Sequence, residues 1–282
     1  METREKYYRT NGMELHTVEA GSPTGKVILF LHGFPEFWYG WRKQLAFFAE
    51  KGFRAVAPDQ RGYGLSSKPQ GVKAYTIDQI TQDIVDLIPQ ITQEKVVLVG
   101  HDWGGGVAWN LALHFPDLLE KLVILNMPHP AVIHDHLRHN PRQMLRSWYA
   151  FFFQVPWAPE ALNSAFHFKL LETIMTRSAL PGTFSPQDMA AYKAAWAQPG
   201  ALEKMINWYR AYKYNPVKAS HPVETPTLLL WGKQDTFLGS ELALPSMGQC
   251  RQGQLVFLEE ATHWLHHEQP EKVNGLIYDF LQ

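Results

Sequence analysis

The run Lys95-Val96-Val97-Leu98-Val99 leads directly into Gly100-His101-Asp102-Trp103-Gly104-Gly105-Gly106, and no other stretch narrows the fold as far. A short unbroken aliphatic run is the pattern of a strand buried on both faces of a parallel sheet. The small residues two before and two and three after Asp102 make room for a sharp strand-to-helix turn, because a side chain at 100 or 104 would strike the neighbouring backbone. Such a turn lifts its central side chain above the sheet edge, where the following helix N-terminus favours negative charge.

Most chains with this turn carry serine at its centre; this one carries aspartate, and that restricts the chemistry. A carboxylate is already nucleophilic at neutral pH and needs no base for its first attack. Attack on an ester or amide would give a poor anhydride, whereas attack on an sp³ carbon with a leaving group gives an ordinary alkyl ester. Strained epoxides and carbon–halogen bonds are the natural targets. The plain alternative is a glycine-rich turn whose aspartate only caps the helix.

The rest of the chain supplies a frame for that turn. Val27–Leu31, Arg54–Ala57 and Lys121–Leu125 read as further strands, with a helix at 78–91 whose Ile80, Ile84, Leu87, Ile88 and Ile91 share one face. Alternating strands and helices predict an α/β fold with a mostly parallel sheet flanked by helices. After Met127-Pro128-His129-Pro130 the strand signals stop and aromatic, helix-forming sequence takes over until about Asn215-Pro216. Strand rhythm returns at Pro226–Trp231 and Gln254–Leu258, and a last helix is expected over 270–281. The expected organisation is a discontinuous core, 1–128 and 216–282, with an inserted helical cap (lid) at 129–215.

Hydrolysis of an ester on Asp102 needs an activated water, hence a histidine base and an acid to orient it. Chain order in such frames is nucleophile, acid, histidine. Asp235 follows the strand ending at Trp231, and His263 follows the next one; His266 and His267 compete for the same part. Water attack creates an oxyanion, and the donors expected for it are the backbone N–H groups of Phe34 and Trp103. His32 and the turn Asp59-Gln60-Arg61-Gly62-Tyr63-Gly64 read as structural. His134-Asp135-His136 with His139 superficially suggests a metal but lacks further ligands and reads as a solvated loop.

Composition adds bounds rather than identity. At 282 residues and 45% hydrophobic content the chain can bury a large core. A formal net charge of -1 gives no electrostatic argument for nucleic acid or a membrane as partner. The single cysteine, Cys250, excludes an intramolecular disulfide. The polar start, Met1 to Lys6, is unlike a secretory leader, and no apolar run approaches the roughly 20 residues that span a bilayer. The expected location is cytoplasmic.

Taken together, His32-Gly33-Phe34-Pro35-Glu36, Asp59 to Gly64, Gly100 to Gly105, Asp235 and His263-Trp264 resemble the epoxide hydrolases of the α/β-hydrolase superfamily, above all the hydrolase domain of the soluble type. The resemblance spans nearly the whole chain. It implies conversion of lipophilic epoxides to vicinal diols, a detoxification chemistry, through an alkyl ester on Asp102. His263 would be the base and Asp235 its orienting acid. It also implies two cap tyrosines that donate hydrogen bonds to the epoxide oxygen. Asn207-Trp208-Tyr209-Arg210 matches the segment of the second, and Trp148 to Pro156 resembles that of the first, with Tyr149 at the tyrosine position; Tyr192, Tyr212 and Tyr214 also lie in the cap. Phe34, Pro35, Trp103, Phe237 and Trp264 are expected to touch substrate. The expected partners are a small epoxide and water, with no cofactor and no metal, as a monomer or a homodimer.

Two positions depart from the family pattern: Trp157 and Thr262 stand where glycine is common. Haloalkane dehalogenases share the aspartate but commonly place asparagine at the Phe34 position to hold halide, and fluoroacetate dehalogenases commonly place arginine at the Trp103 position. A non-catalytic hydrolase-fold receptor is the reading from another class; it would leave the complete nucleophile, acid, base and tyrosine set unexplained.

Overall fold

In the computed structural model, which describes residues 2–215 and 221–282, one eight-stranded sheet organises the chain. Its strands are β1 Thr3–Thr10, β2 Met13–Gly21, β3 Val27–Leu31, β4 Arg54–Pro58, β5 Val96–His101, β6 Leu119–Leu125, β7 Thr227–Gly232 and β8 Gly253–Leu258. They lie in the order β1-β2-β4-β3-β5-β6-β7-β8. β2 pairs antiparallel with β1 and β4, and all pairs from β4 to β8 are parallel. β3, β4 and β5 are buried along their whole length, which is why their sequences, Arg54 and His101 apart, are apolar without alternation.

The helices follow the chain as α1 Arg42–Glu50, α2 Ile77–Ile91, α3 Trp103–His114, α4 Pro130–His139, α5 Pro141–Arg146 and α6 Trp148–Phe152. Then come α7 Ala158–Ser178, broken at 165–168, α8 Pro186–Trp196, α9 Ala201–Ala211, α10 Ala243–Met247, α11 Leu265–Glu268 and α12 Pro270–Leu281. Strand alternation divides the core in two. Ile28, Phe30, Val97 and Val99 pack with Leu45 and Phe48 of α1 and Val273 and Ile277 of α12. Leu29, Leu31 and Leu98 pack on the other face with Ile80, Ile84 and Leu87 of α2 and Val107 and Leu111 of α3. Each fully buried aliphatic side chain contributes roughly 1.5–3 kcal/mol.

The hairpin β1–β2 lies outside what the sequence predicts. Its strands carry Arg4, Glu5, Lys6, His16 and Glu19, and the hydropathy signal is lost among them. Glu19 is nevertheless fully buried, because Arg54, Lys6 and Tyr8 all bond its carboxylate. Elsewhere boundaries shift slightly: β5 continues through Gly100 and His101, and β6 starts at Leu119.

Between β6 and β7 the described residues form α4 to α9 and no strand. These helices are tied to the sheet's carboxyl edge by hydrogen bonds. Trp196 Nε1 donates to the Pro35 carbonyl at 2.6 Å, Trp208 Nε1 to the Arg61 carbonyl at 2.9 Å, and the Tyr192 hydroxyl to Glu36 at 2.6 Å. The expected second boundary, at 216, falls on residues outside those described. No helix among the described residues is long and apolar enough to cross a membrane.

Candidate active site

Asp102 makes the turn between β5 and α3 by itself, with φ 49° and ψ −126°. A non-glycine residue there is strained, by order 1–3 kcal/mol, and persists only where the surroundings over-determine it. Its N–H donates to the Leu125 carbonyl and its carbonyl accepts from Gly106 at 3.0 Å. A Cβ at Gly100 would lie 2.5 Å from the Gly104 carbonyl oxygen, and one at Gly104 would run into the Leu31 carbonyl. The turn therefore closes only with glycine at both positions. It stands at the carboxyl ends of β3 and β5, where strand order reverses and open α/β sheets leave a crevice.

The loop after β3 reaches over to this carboxylate. Phe34 N–H donates to Asp102 Oδ1 at 2.8 Å. Trp103 opens α3, so its N–H has no acceptor within the helix. His32 is fully buried, and its Nε2 accepts from the Gln60 N–H at 3.0 Å. Asp59 accepts from the N–H groups of Trp38 and Leu65 and pairs with His16 at 2.8 Å. His32 and Asp59 thus hold the loops, not the reacting groups.

Asp235 and His263 come from the loops after β7 and β8. His263 Nδ1 lies 2.7 Å from Asp235 Oδ2, and its Nε2 lies 3.6 Å from Asp102 Oδ2. Burial works to lower the His263 pKa, but the carboxylates of Asp235 and Asp102 overcome it and push it up to about 10. Burial likewise works to raise that of Asp235, and His263 and Asn126 hold it below the usual carboxylate range. The other Asp235 oxygen accepts from the N–H groups of Phe237 and Leu238, at 2.7 and 3.0 Å.

Asn126 is a partner of Asp235 that the sequence did not reveal. It is fully buried at φ 43°, its Nδ2 donates to Asp235 Oδ2 at 2.5 Å, and its Oδ1 accepts from the Gly232 N–H at 2.8 Å. The available signal was an asparagine directly after a strand, the residue type that best tolerates a left-handed backbone.

Two cavities, of about 530 and 300 Å³, share Asp102, Tyr149 and Tyr209 in their walls. Trp103, Phe151 and Arg138 line the larger; Phe34, Pro35, Phe237 and Trp264 line the smaller. The two tyrosine rings pack edge to face 5.8 Å apart, with Tyr209 also against Phe34 and Trp103. Burial, reinforced for Tyr149 by the Asp102 and Asp235 carboxylates, raises both phenol pKa values far above the ordinary range, so both stay protonated. Tyr192 instead bonds Glu36, while Trp157 and Phe166 face solvent.

His266 and His267 belong to a buried cluster behind the site. His267 Nε2 lies 2.6 Å from Glu36 Oε1, and His101 and His266 each lie 3.3 Å from Glu36 Oε2. His101 Nε2 also donates to the His263 carbonyl at 2.8 Å. Among the described residues Glu36, His266 and His267 are the one set whose donor atoms could share an ion. The histidines near 134 lie on helix α4 and not in the solvated loop expected of them, because His129 caps the helix and Pro130 opens it; His134 lines the larger cavity, His136 bonds the Val132 carbonyl, and His139 pairs with Asp135 on the surface. Thr262, in place of a glycine, bonds Glu268 through both its N–H and its hydroxyl.

Known proteins share this fold. A family model described as alpha/beta hydrolase fold matches residues 26–270. AB hydrolase superfamily protein YfhM of Bacillus subtilis (strain 168) is 45% identical over 98% of this chain and 97% of its own. Epoxide hydrolase 4 of Homo sapiens is 41% identical over 97% of this chain and 77% of its own. The crystal structure of a Bacillus megaterium epoxide hydrolase in complex with an inhibitor superposes with a TM-score of 0.90, at 32% identity, over 98% of this chain and 99% of that one. The chain belongs to the α/β-hydrolase fold family, in the group formed with its epoxide hydrolases.

Proposed function

We propose that the protein hydrolyses lipophilic epoxides to vicinal diols through an alkyl ester on Asp102, with residues 129–215 acting as the cap over the site. The observation that carries this reading is the sharing of Asp102, Tyr149 and Tyr209 by two apolar-walled cavities. A substrate with a substituent on each epoxide carbon fits that division: one arm in each cavity, the ring between the carboxylate and the phenols.

In this mechanism an Asp102 oxygen attacks one epoxide carbon, the carbon–oxygen bond breaks, and its electron pair leaves on the oxygen. An alkoxide is a poor leaving group unless its charge is stabilised and protonated. Tyr149 and Tyr209 donate hydrogen bonds to it, and one of them passes it a proton. That proton is replaced from the His263 imidazolium, because ester formation removes one of the two carboxylates that raise the His263 pKa. Neutral His263 then takes a proton from a water attacking the ester carbonyl. The N–H groups of Phe34 and Trp103 hold the oxyanion, and its collapse releases the diol and restores the Asp102 carboxylate. One epoxide and one water give one diol.

The test is a paired assay of epoxides and 1-haloalkanes of similar size, read as diol and halide. Phe34 offers no side-chain donor for a halide, so diol formation should far exceed halide release. Halide release without diol would move the protein to the dehalogenases, and neither product would favour a receptor.

A further inference from the structure

The helical segment α5–α6 is amphipathic in the wrong sense for a water-facing element. Arg142 and Arg146 apart, its polar residues point inward: Gln143 is fully buried and bonds Ser147 and the Phe237 carbonyl, while the Gly239 N–H donates to it. Tyr149 faces the cavities, but several apolar residues point outward. Met144, Trp148, Phe151 and Val155 recur at the spacing of one helical face and are 40%, 61%, 56% and 44% exposed, with Leu145 beside them at 74%. Surface helices normally turn the opposite face to water. Trp157 and Phe166 extend the exposure, at 77% and 88%, and both have a left-handed backbone, φ 53° and 51°. Phe166 lies in the non-helical break at 165–168 that divides α7.

Charge distinguishes what this face suits. From Pro141 to Ser178 the chain carries Arg142, Arg146, Lys169 and Arg177 against Glu160 and Glu172. Both carboxylates are engaged, Glu160 by Arg210 and Glu172 by Lys193 and Lys169, and Arg146 is itself paired with Glu241 at 3.6 Å. Arg142 and Arg177 are exposed and form no ion pair with another described residue. The overall charge of -1 therefore averages over a cationic, aromatic face.

The same face forms the outer wall of the site. Trp148 and Arg177 line the smaller cavity, and Phe151 lines the larger. We propose that the outward face of α5–α6, with Trp157 and Phe166, docks on an anionic lipid bilayer. Exposed tryptophan, phenylalanine and leucine flanked by arginine are the composition of a segment that lies in a membrane interface. A bilayer on this face would lie against the outer wall of both cavities and would supply an apolar solute to them. That last point rests on the epoxide reading; the docking itself does not.

The experiment is vesicle flotation of the intact protein, without substrate. One set of vesicles contains equal parts phosphatidylglycerol and phosphatidylcholine; the other is phosphatidylcholine alone. The wild type should float with the anionic set and be released as NaCl rises from about 0.1 M to about 1 M, where the screening length falls from about 10 Å to about 3 Å. Leu145→Asp with Trp157→Gly should cut flotation at least about tenfold, and Arg142→Glu should weaken it on the anionic vesicles. None of these three residues lines a cavity, so turnover of a water-soluble epoxide should stay unchanged. Wild type that fails to float, or a double variant that floats equally well, overturns the proposal. So does a dimer abolished by Leu145→Asp, which would make the face an interface between copies. Absence of epoxide turnover would sink the catalytic reading and leave the flotation result standing.

Discussion

Asn126→Gly removes two hydrogen bonds while preserving the backbone that needs them. The native φ of 43° suits glycine, so conformational strain drops out of the comparison. One lost bond is charge-assisted, from Nδ2 to Asp235 Oδ2, and is worth about 1.5–3 kcal/mol. The other leaves the Gly232 N–H, buried in β7, without an acceptor, at about 1–3 kcal/mol. Together with the small hole left by the side chain, the expected loss is about 3–5 kcal/mol. Asp235 keeps His263 and the Phe237 and Leu238 N–H groups, so the orienting contact weakens without vanishing. Urea unfolding at neutral pH measures the loss directly. A loss below about 1 kcal/mol would refute the reasoning, because the desolvated Gly232 N–H alone should exceed it.

Tyr149→Phe and Tyr209→Phe should each slow ester formation by order 10² to 10³, as removal of one oxyanion donor does. The double variant should lose less than the product, since the pair acts on one oxygen; unchanged turnover in Tyr209→Phe would refute its assignment. His263 gives a pH dependence whose sign follows from its raised pKa. In the folded protein it titrates at about 10 rather than near 6.5, so its contribution to stability is complete below about 6.5 and is lost as pH rises through about 10. Urea stability should therefore fall between those values in the wild type and fall less in His263→Gln; parallel profiles would contradict the Asp235–His263–Asp102 arrangement.

Legibility in the sequence tracked how local each constraint is. The elbow at Asp102 is written in adjacent residues, because the backbone approaches at Gly100 and Gly104 admit nothing larger, and the parallel strands announce themselves as unbroken apolar runs. The hairpin β1–β2 was hidden because its burial depends on a partner 35 residues away: Glu19 is inside only because Arg54 is there to bond it. Glu36 is similar. Its role depends on His101, His266, His267 and Tyr192, which meet only after the sheet and the helices above it come together. Which cap aromatics face the cavities also could not be read from spacing. Phe151 lines a cavity and Trp196 is core, whereas Trp157 faces solvent, although all three are equally aromatic. The glycine expected at 157 has a physical counterpart in the left-handed backbone there, which this chain adopts with tryptophan instead.

The covalent step is the centre of the account, and trapping it tests the account most directly. His263→Gln keeps the nucleophile and removes the base, so on mixing with an epoxide the protein should gain the mass of one substrate. The adduct should be stable and should map to the peptide containing Asp102; Asp102→Ala should form neither adduct nor diol. Single turnover of the wild type in ¹⁸O-water completes the measurement: the label should enter the Asp102 carboxylate, and the diol should carry an oxygen that belonged to Asp102. Label passing straight into the diol on the first turnover, with no adduct in His263→Gln, would mean that water attacks the epoxide directly and that Asp102 is not the nucleophile.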